Sequence, residues 1–476
     1  MGKTDMAVFE SMPVSNALLS LALPTVLGQV MIVLYNMADT FFIGQTNNNA
    51  MISAVTLCMP AFMFISAIAN LFGVGGSSVI SRALGKNNTD RARYACAFSV
   101  WGCIIMSLLY SALVFIFIDP FVDFLGGASP EVHALSAEYI KWTVVIGGLS
   151  TSLASLFGHI VRSEGSSIHA SIGVILGGVL NIVLDPLFMF VILEPGNEVL
   201  GAAYATALSN LISFLYFILL ALSAGKRGSI IYLKLTKHSF EWEIPKKIMI
   251  AGVPAFTMTF AENLSYSILD NLLSSYGTAV QAGIGVAKKI NMLAHSIVRG
   301  ITQGALPYLG YNYSAGKRIK TKKIVLTTIM FAVGMAVICT AVMFLSAHML
   351  IGIFLEDGNE SVDYGIRFLR ILCIGGPFSA LAYTLISFFQ AVGHGITSFI
   401  LALLRKGILD IPLMYILHNL VSMYGIVMAT PVADIVCCIV SVILFLRFAS
   451  NHLANNKKRK IYNKETGKYE ILVEGV

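Results

Sequence analysis

The chain has 476 residues, of which 57% are hydrophobic and only 12% are charged, with a net charge of +7. Soluble domains carry about 25% charged residues, so this composition excludes an ordinary soluble protein. The seven cysteines all lie in apolar runs, which argues against a disulfide framework or a metal-ligand set. Apolar runs long enough to cross a bilayer, about 20 residues each, recur along the whole chain. The sequence therefore predicts a polytopic helical membrane protein.

Hydropathy and helix-breaking residues predict twelve transmembrane helices and an all-α fold. The first apolar run is already of spanning length, so we expect a membrane helix there and no cleavable signal peptide. In chain order, the predicted spans cover residues 15–43, 51–81, 95–118, 137–160, 167–193, 199–222, 247–275, 280–311, 324–347, 366–391, 396–418 and 423–448.

The connections between these spans alternate in charge. On one side they carry clusters of Lys and Arg, namely Arg82 to Arg93, Arg162, six cations between Lys226 and Lys247, "SAGKRIKTKK" and the tail "NNKKRK". The loops of the other side contain no Lys or Arg. By the positive-inside rule, both termini are cytoplasmic. We expect a multi-pass protein of the plasma (inner) membrane. These cations are orientation signals and do not indicate a nucleic-acid partner. We expect the tail to be solvated, partly without regular structure and near anionic lipid headgroups.

The two halves of the chain repeat one another. "LALPTVLGQVMIVLYNMADTFF" resembles "AGVPAFTMTFAENLSYSILDNL", "VVIGG" in the fourth span resembles "LCIGG" in the tenth, and "LDPLFM" resembles "LDIPLM". The matched pairs, each 224 to 231 residues apart, are Pro24 and Pro254, Asp39 and Asp270, Asp185 and Asp410, and Thr206 and Thr430. Because each half has an even number of spans, the sequence predicts two parallel six-helix repeats.

This repeat divides the chain into two lobes. We assign a cytoplasmic N-terminus to residues 1–14, an N-lobe to 15–224, a cytoplasmic linker to 225–246, a C-lobe to 247–448 and a basic cytoplasmic tail to 449–476. Internal symmetry with a binding site at the repeat interface is typical of alternating-access carriers. Duplication also builds membrane scaffolds that transport nothing, and that alternative stays open at this point.

Two carboxylates, Asp39 and Asp185, interrupt the apolar spans of the N-lobe. A carboxylate in a membrane helix costs about 2.5–3.5 kcal/mol on insertion scales. Asn181 precedes Asp185 by four residues, which places both on one helix face, and Thr206 enters the membrane at a similar depth. Such oxygens suit Na⁺, and paired carboxylates in a low-dielectric environment also hold a proton. The sequence predicts a cation site here; the simpler alternative is hydrogen bonding between helices.

Dispersed motifs resemble those of one transporter family. "LYNMADTFFIG" in span 1, "NIVLDPLF" in span 5, "QGALPYLGYN" in span 8 and the six-plus-six duplication are together similar to the multidrug and toxic compound extrusion (MATE) family, in its bacterial multidrug-exporter branch. The resemblance covers about residues 15–448. It implies a V-shaped architecture of two lobes that exchanges cation entry for export of amphipathic, often cationic, compounds.

The resemblance also implies roles for individual residues. The N-lobe cation site of bacterial and archaeal members is matched by Asp39, Asn181, Asp185 and Thr206. Pro24 matches the proline at which span 1 bends, which makes it the predicted hinge. Glu262 matches a glutamate implicated in another branch of the family, so a second acidic site at Glu262, Asp270 and Asp410 is an alternative location for coupling.

The symmetry is broken where the N-lobe has neutral Asn181, because the matching C-lobe position holds Lys406. Lys406 precedes Asp410 by four residues, so an ion pair between them is expected. We therefore predict one principal coupling site, in the N-lobe. The other intramembrane cations are interpreted as charge compensation, or as contacts to an anionic substrate or lipid phosphate; they are Lys288, Lys289, Arg299 and Arg405.

The predicted function is secondary active antiport of drugs and organic cations against H⁺ or Na⁺ within the lipid bilayer. It requires no cofactor and no nucleotide, and we expect a monomer that is not an enzyme. A lipid-linked oligosaccharide or lipid flippase of the same wider superfamily is the main alternative, supported by the cations in spans 8 and 11. A membrane-embedded enzyme is a third hypothesis, which lacks a recognisable catalytic motif.

Overall fold

The computed structural model describes residues 3–46, 48–126, 129–224, 229–355, 360–453, 458–463 and 468–473. Three cations used in the orientation argument, Lys226, Arg227 and Lys457, lie outside these residues, as do short parts of two loops from the opposite side.

The chain folds into a helical bundle with one small hairpin. The helices of the first half are α1 (Lys3–Glu10), α2 (Val14–Gln45), α3 (Asn49–Gly85), α4 (Thr89–Ile116), α5 (Ile118–Leu125), α6 (Pro130–Ile140), α7 (Gly148–Ser163), α8 (Ser167–Leu187) and α9 (Glu198–Ala224). Those of the second half are α10 (Glu243–Ser274), α11 (Thr278–Ser314), α12 (Arg318–Leu345), α13 (Ala347–Gly352), α14 (Glu360–Ile374), α15 (Gly376–Val392), α16 (Gly395–Leu403) and α17 (Asp410–His452).

Short segments of other helix types complete the spans. They are π-helical stretches at Lys141–Ile146, Phe188–Ile192 and Leu404–Leu409, and a 3₁₀ turn at Lys237–Phe240 in the linker. The break at Val421 and Ser422 divides α17 into the eleventh and twelfth spans, where Ser422 has a φ of 57°. This break lies in the predicted loop "NLVS". The architecture of twelve transmembrane helices in two lobes is confirmed, although several helices extend a few residues beyond their predicted bounds.

Matching helices of the two halves have equal lengths. The first three spans have 32, 37 and 28 residues in the first half and again 32, 37 and 28 in the second. The fourth and tenth spans each break at a Gly–Gly pair, where they bend by 47° and 45°. These pairs are the glycines of "VVIGG" and "LCIGG". The duplication inferred from short motifs therefore extends to helix length and to helix bending.

Buried apolar residues show how the two lobes meet. We call the end of the bundle with the linker and both termini the basic end. There, one hydrophobic cluster combines residues of both halves, including Leu18, Phe72, Ile248 and Phe388. Toward the opposite end, each half has a separate cluster, one containing Ile43 to Ala203 and the other Leu269 to Ala429. The lobes are thus packed together at the basic end and separate toward the other, which is the predicted V shape.

Close backbone approach joins the lobes at the basic end. A Cβ atom added at Gly252 of α10 would collide with the Leu71 carbonyl of α3, and one at Gly304 of α11 would lie 2.8 Å from the Ala22 Cα atom of α2. Such distances are shorter than ordinary van der Waals contact. Glycine is therefore required at these positions for the lobes to pack as they do.

The two termini contain structure that hydropathy did not indicate. The last turn of helix α1 contains Phe9, which is fully buried against Tyr308 and Tyr311 of α11. In the tail, strand β1 (Lys458–Asn463) pairs antiparallel with β2 (Lys468–Val473). The tail was expected to be partly without regular structure, and hydropathy did not indicate this hairpin, because a hairpin depends on cross-strand pairing and not on apolar length.

Candidate functional site

The four residues of the predicted cation site lie together in the N-lobe. Asp39 is on α2, Asn181 and Asp185 are on α8, and Thr206 is on α9. The Asn181 Nδ2 atom lies 3.3 Å from Asp185 Oδ1 and 3.4 Å from Thr206 Oγ1. The Asp39 carboxyl group lies beside Asp185 and Asn181. Three helices therefore bring side chains more than 160 residues apart into one polar cluster.

This cluster has more acceptor oxygens than donors. Asp39 Oδ1, Asn181 Oδ1 and Asp185 Oδ2 are buried and have no hydrogen-bond partner among the described residues. Neither Asp39 nor Asp185 forms an ion pair with a basic side chain that the structure describes. Buried acceptors without donors are unfavourable, and two neighbouring carboxylates repel each other unless a proton or another cation neutralises them. The oxygens present fit a bound H⁺ or Na⁺.

The matching cluster of the C-lobe contains its own cation. Lys406 Nζ lies 2.9 Å from Asp410 Oδ2, and Thr430 Oγ1 donates to Asp410 Oδ1 over 3.0 Å. Ser265 of α10 also donates to Asp410 Oδ2, over 2.7 Å. The predicted ion pair between Lys406 and Asp410 is thus present. It satisfies a buried carboxylate with an internal ammonium and two hydroxyl groups.

The remaining acids of the C-lobe spans are also paired. Arg299 donates to Glu262 over 2.6 Å, and Lys288 donates to Asp270 over 2.6 Å. Each acid of the second predicted acidic site therefore has its own basic partner. Lys289 has no ion pair within the described ranges.

Sequence reasoning missed Asp434, which binds Arg405. The Arg405 Nε atom lies 2.6 Å from Asp434 Oδ1, and both side chains are almost fully buried. Asp434 is a charged residue in the apolar twelfth span, which is itself a signal of function or pairing. In the internal repeat, Asp434 matches Asn210 of the N-lobe. The two are as far apart in the sequence as the matched pair Thr206 and Thr430.

A cavity of about 260 Å³ lies between the lobes. Asn181 and Thr206 are part of its wall, whereas Asp39 and Asp185 do not line it among the described residues. Its apolar and aromatic surface includes Phe62, Tyr35, Tyr266, Tyr383, Met63 and Met292. A concave site with aromatic walls and a few polar groups is typical of small-molecule binding. The acid cluster therefore lies directly behind one wall of this cavity.

Polar contacts between the lobes also line the cavity. Gln29 of α2 donates to Gln303 of α11 over 3.2 Å, and Asn70 of α3 donates to Thr259 of α10 over 2.9 Å. Hydrogen bonds of this kind contribute about 0.5–1.5 kcal/mol each. Hydrogen bonds of this strength hold the two lobes together only weakly.

The predicted hinge residue lies where α2 contacts α11. Helix α2 runs without interruption through Pro24. On either side of this proline, Ala22 and Val26 pack against Gly304 and Gly300, with no room for a Cβ atom at either glycine. Proline removes one backbone hydrogen bond and weakens a helix locally. A change in the curvature of α2 at Pro24 would therefore alter both the interlobe contact and the position of Asp39.

Sequence analysis placed Arg162 only among the orientation signals, yet it lines the cavity with His159. Its Nη1 atom lies 3.4 Å from His159 Nδ1. Lys and Arg are common at the cytoplasmic ends of the spans, and Arg162 lies at such an end. Nothing in the local sequence therefore distinguishes it from an exposed cation. Only the packing of α7 against α3 and α8 places it at the cavity.

Comparison with known proteins identifies the family of this architecture. The family model MatE matches residues 24–187 and again 254–416, once in each half. Multidrug export protein MepA of Staphylococcus saprophyticus is 28% identical over 436 residues, which cover 92% of this chain and 94% of that protein.

Solved structures agree with these matches. A crystal structure of MATE in complex with MaL6 has a TM-score of 0.84 and 26% identity, and the match covers 94% of this chain and 99% of that one. The outward-facing conformation of a multidrug resistance MATE family transporter of the MOP superfamily also has a TM-score of 0.84, with 25% identity and the same coverage.

Proposed function

The chain belongs to the multidrug and toxic compound extrusion (MATE) family of efflux transporters, and from this we propose that it exports amphipathic, cationic compounds in exchange for H⁺ or Na⁺. The acid cluster of Asp39, Asn181, Asp185 and Thr206 is the proposed coupling site. The cavity between the lobes is the proposed binding site for the exported compound.

The observation that carries this proposal is the contrast between paired and unpaired acids. Each membrane acid of the C-lobe described above has a basic partner, whereas Asp39 and Asp185 have buried oxygens without any partner among the described residues. A buried carboxylate is stable only when it is neutralised. The N-lobe acids must therefore take a cation from solution, which is what an ion-coupled carrier requires.

The arrangement of the lobes supports alternating access. With the basic end in the cytoplasm, the shared hydrophobic cluster closes the cytoplasmic side and the separated lobes open outward. Cation binding at Asp39 would change the charge beside α2, and bending at Pro24 would transmit this to the contacts with Gly300 and Gly304. Binding and release of the cation would thereby favour different lobe arrangements.

The flippase alternative loses part of its support. The cations of spans 8 and 11 that favoured an anionic lipid substrate include Lys288, Arg299, Arg405 and Lys406, and each of these four binds a carboxylate of the C-lobe. Breaking a buried ion pair to bind a phosphate would leave a carboxylate uncompensated, at a cost of about 3–5 kcal/mol. Small-molecule export is therefore the better-supported proposal.

Transport by purified protein in liposomes tests the proposal. A pH gradient and a Na⁺ gradient are imposed separately, and movement of a fluorescent organic cation is followed. We expect one of the two gradients to drive accumulation, and protein-free liposomes and Asp185→Asn protein to show none. Movement of labelled lipid without any gradient-driven dye transport would contradict the proposal and favour the flippase.

A further inference from the structure

The cavity contains an arginine without a counter-ion. Arg162, in the last turn of α7, has 4% of its surface exposed. Its Nε atom is buried without a hydrogen-bond partner among the residues that the structure describes, and its contact to His159 Nδ1 is long, at 3.4 Å. No ion pair joins Arg162 to a carboxylate anywhere in the described ranges. A guanidinium group stays protonated in proteins, so this is a buried and uncompensated positive charge.

The other charged residues of the cavity wall do not neutralise it. Among the described residues that line the cavity, the charged ones besides Arg162 are Glu262 and Arg299. These two bind each other at 2.6 Å, so Glu262 already has a cation. The wall therefore carries an excess positive charge, and it is located at Arg162.

Packing holds the arginine and its neighbour in place. A Cβ atom added at Gly73 of α3 would lie 2.7 Å from the His159 Cδ2 atom, so the imidazole ring lies directly on the α3 backbone. From the C-lobe, Ser387 and Gln390 line the same cavity near the end of α15. Below them, Ser78 of α3 donates to the Gln390 carbonyl over 2.6 Å. Arg162 and Gln390 both line the cavity near the ends of their helices, and these are the ends that lie toward the basic end of the bundle.

We propose that Arg162, positioned beside His159, binds an anionic group of the transported molecule at the basic end of the cavity. The planar guanidinium group offers paired N–H donors that match a carboxylate or a phosphate. An anion there would supply both the missing charge and the missing acceptor for Nε. The ligand class is an amphipathic molecule with an anionic group at one end and an aromatic or apolar body, which would lie along Tyr35, Tyr266 and Tyr383.

This inference rests on the proposed function in one respect, namely that the cavity holds the transported molecule. The inference adds that a carboxylate on the transported molecule improves its binding, whereas a cavity suited only to cations would disfavour that carboxylate. The N-lobe cluster of Asp39 and Asp185 does not compete for the same end of the molecule, because Asn181 and Thr206 lie between those acids and the cavity.

The test compares two ligands that differ only in this group. The probes are a rhodamine dye with a free carboxylate and the methyl ester of the same dye. Their binding to the intact purified protein is measured at equilibrium by fluorescence anisotropy, in the wild type, Arg162→Gln, Arg162→Lys and Lys86→Gln. Lys86 is an exposed cation at the same end of the bundle and controls for net charge. No gradient is present, so the result does not depend on whether the protein transports the dyes.

We expect the wild type and Lys86→Gln to bind the acid more tightly than the ester. Arg162→Gln should weaken binding of the acid about tenfold or more, as for the loss of a charge-assisted hydrogen bond, while binding of the ester changes little. Equal affinities of the wild type for acid and ester, or an acid preference that survives Arg162→Gln, would overturn the proposal. If Arg162→Gln does not fold, Arg162→Lys provides the test. Unchanged affinity of Arg162→Lys for the acid would overturn the proposal, whereas a loss of affinity for the acid but not for the ester would support it.

Discussion

Lys406 lies 2.9 Å from Asp410 in the C-lobe, at the position that Asn181 occupies beside Asp185 in the N-lobe. The two clusters are related by the internal repeat and share an aspartate and a threonine. They differ in the residue one turn before the aspartate, which is an ammonium in one lobe and an amide in the other. One cluster thereby has its cation within the protein, and on the proposed function the other takes a cation from solution.

The first prediction compares the two aspartates directly. Asp185→Asn should abolish cation binding, because it removes the carboxylate that has no internal partner. Asp410→Asn should largely retain it, although this variant leaves Lys406 without its partner and should lower stability by about 3–5 kcal/mol. Calorimetric titration with Na⁺, and proton release measured in weakly buffered solution, would detect either cation. Loss of cation binding in Asp410→Asn alone would place the coupling site in the C-lobe.

The second prediction transfers the lysine to the other lobe. Asn181→Lys should place an ammonium group beside Asp185, as Lys406 lies beside Asp410, and thereby occupy the coupling site permanently. The protein should fold, but neither cation binding nor gradient-driven transport should be measurable. Asn181→Gln is the matched control, because it lengthens the side chain without adding charge and should retain part of both activities. A functional Asn181→Lys protein would contradict the role assigned to this cluster.

The third prediction concerns Asp39. Asp39→Asn should reduce drug efflux to background while the protein is expressed normally, because the neutral side chain lowers the cost of membrane insertion. Efflux is measured in a host that lacks its own pumps, with membrane expression determined in parallel. Asp119→Asn, at an exposed acid of α5, is the control and should leave efflux intact. Full drug resistance from Asp39→Asn cells would remove Asp39 from the mechanism.

The fourth prediction tests Pro24 as a hinge. Pro24→Ala should restore the backbone hydrogen bond to Ser20 and stiffen α2, which slows the exchange between lobe arrangements. Turnover in liposomes should therefore fall more than the affinity for a fluorescent substrate. Pro60→Ala, at an exposed proline within α3, should change neither. If turnover and affinity fall by the same factor in Pro24→Ala, general damage to the fold is the better explanation.

The fifth prediction tests the close contact between the lobes. Gly304→Ala introduces a Cβ atom 2.8 Å from the Ala22 Cα atom, and relief of this overlap should cost about 1–3 kcal/mol. Gly285→Ala, on the same helix, meets no atom within 4 Å and should be neutral or slightly stabilising. Thermal unfolding of both variants in detergent gives the comparison. Equal stability of the two proteins would show that the lobes do not depend on this contact.

Much of the site could be predicted because its signals are local. Asn181 and Asp185, like Lys406 and Asp410, are one helical turn apart, so their proximity follows from helix geometry. The depth of Thr206 in its span follows from the rise per residue. Charged residues in apolar runs are few, which makes each one conspicuous. Alignment of the two repeated halves then related the two clusters, and this alignment needs no information on how the helices pack.

The pairing of the other charges could not be predicted in this way. Arg405 binds Asp434, 29 residues later, and Arg299 binds Glu262 on a neighbouring helix. Arg and Lys have long side chains, so the sequence offers several acids as possible partners for each of them. Which acid is bound depends on the rotation and crossing of packed helices, and neither quantity can be read from one sequence.

By itself, the sequence determined that the chain spans a membrane twelve times, that it consists of two parallel repeats, and that the N-lobe carries acids without a nearby base. These properties follow from apolar length, loop charge and residue spacing, which act over one helix at a time. Only the tertiary structure decided that three helices bring Asp39, Asp185 and Thr206 together, that glycines such as Gly304 join the lobes at one end, and that Arg162 lines the cavity between them. Those features depend on which faces of distant helices pack together, because contacts across a bundle are determined by side-chain shape and not by position along the chain.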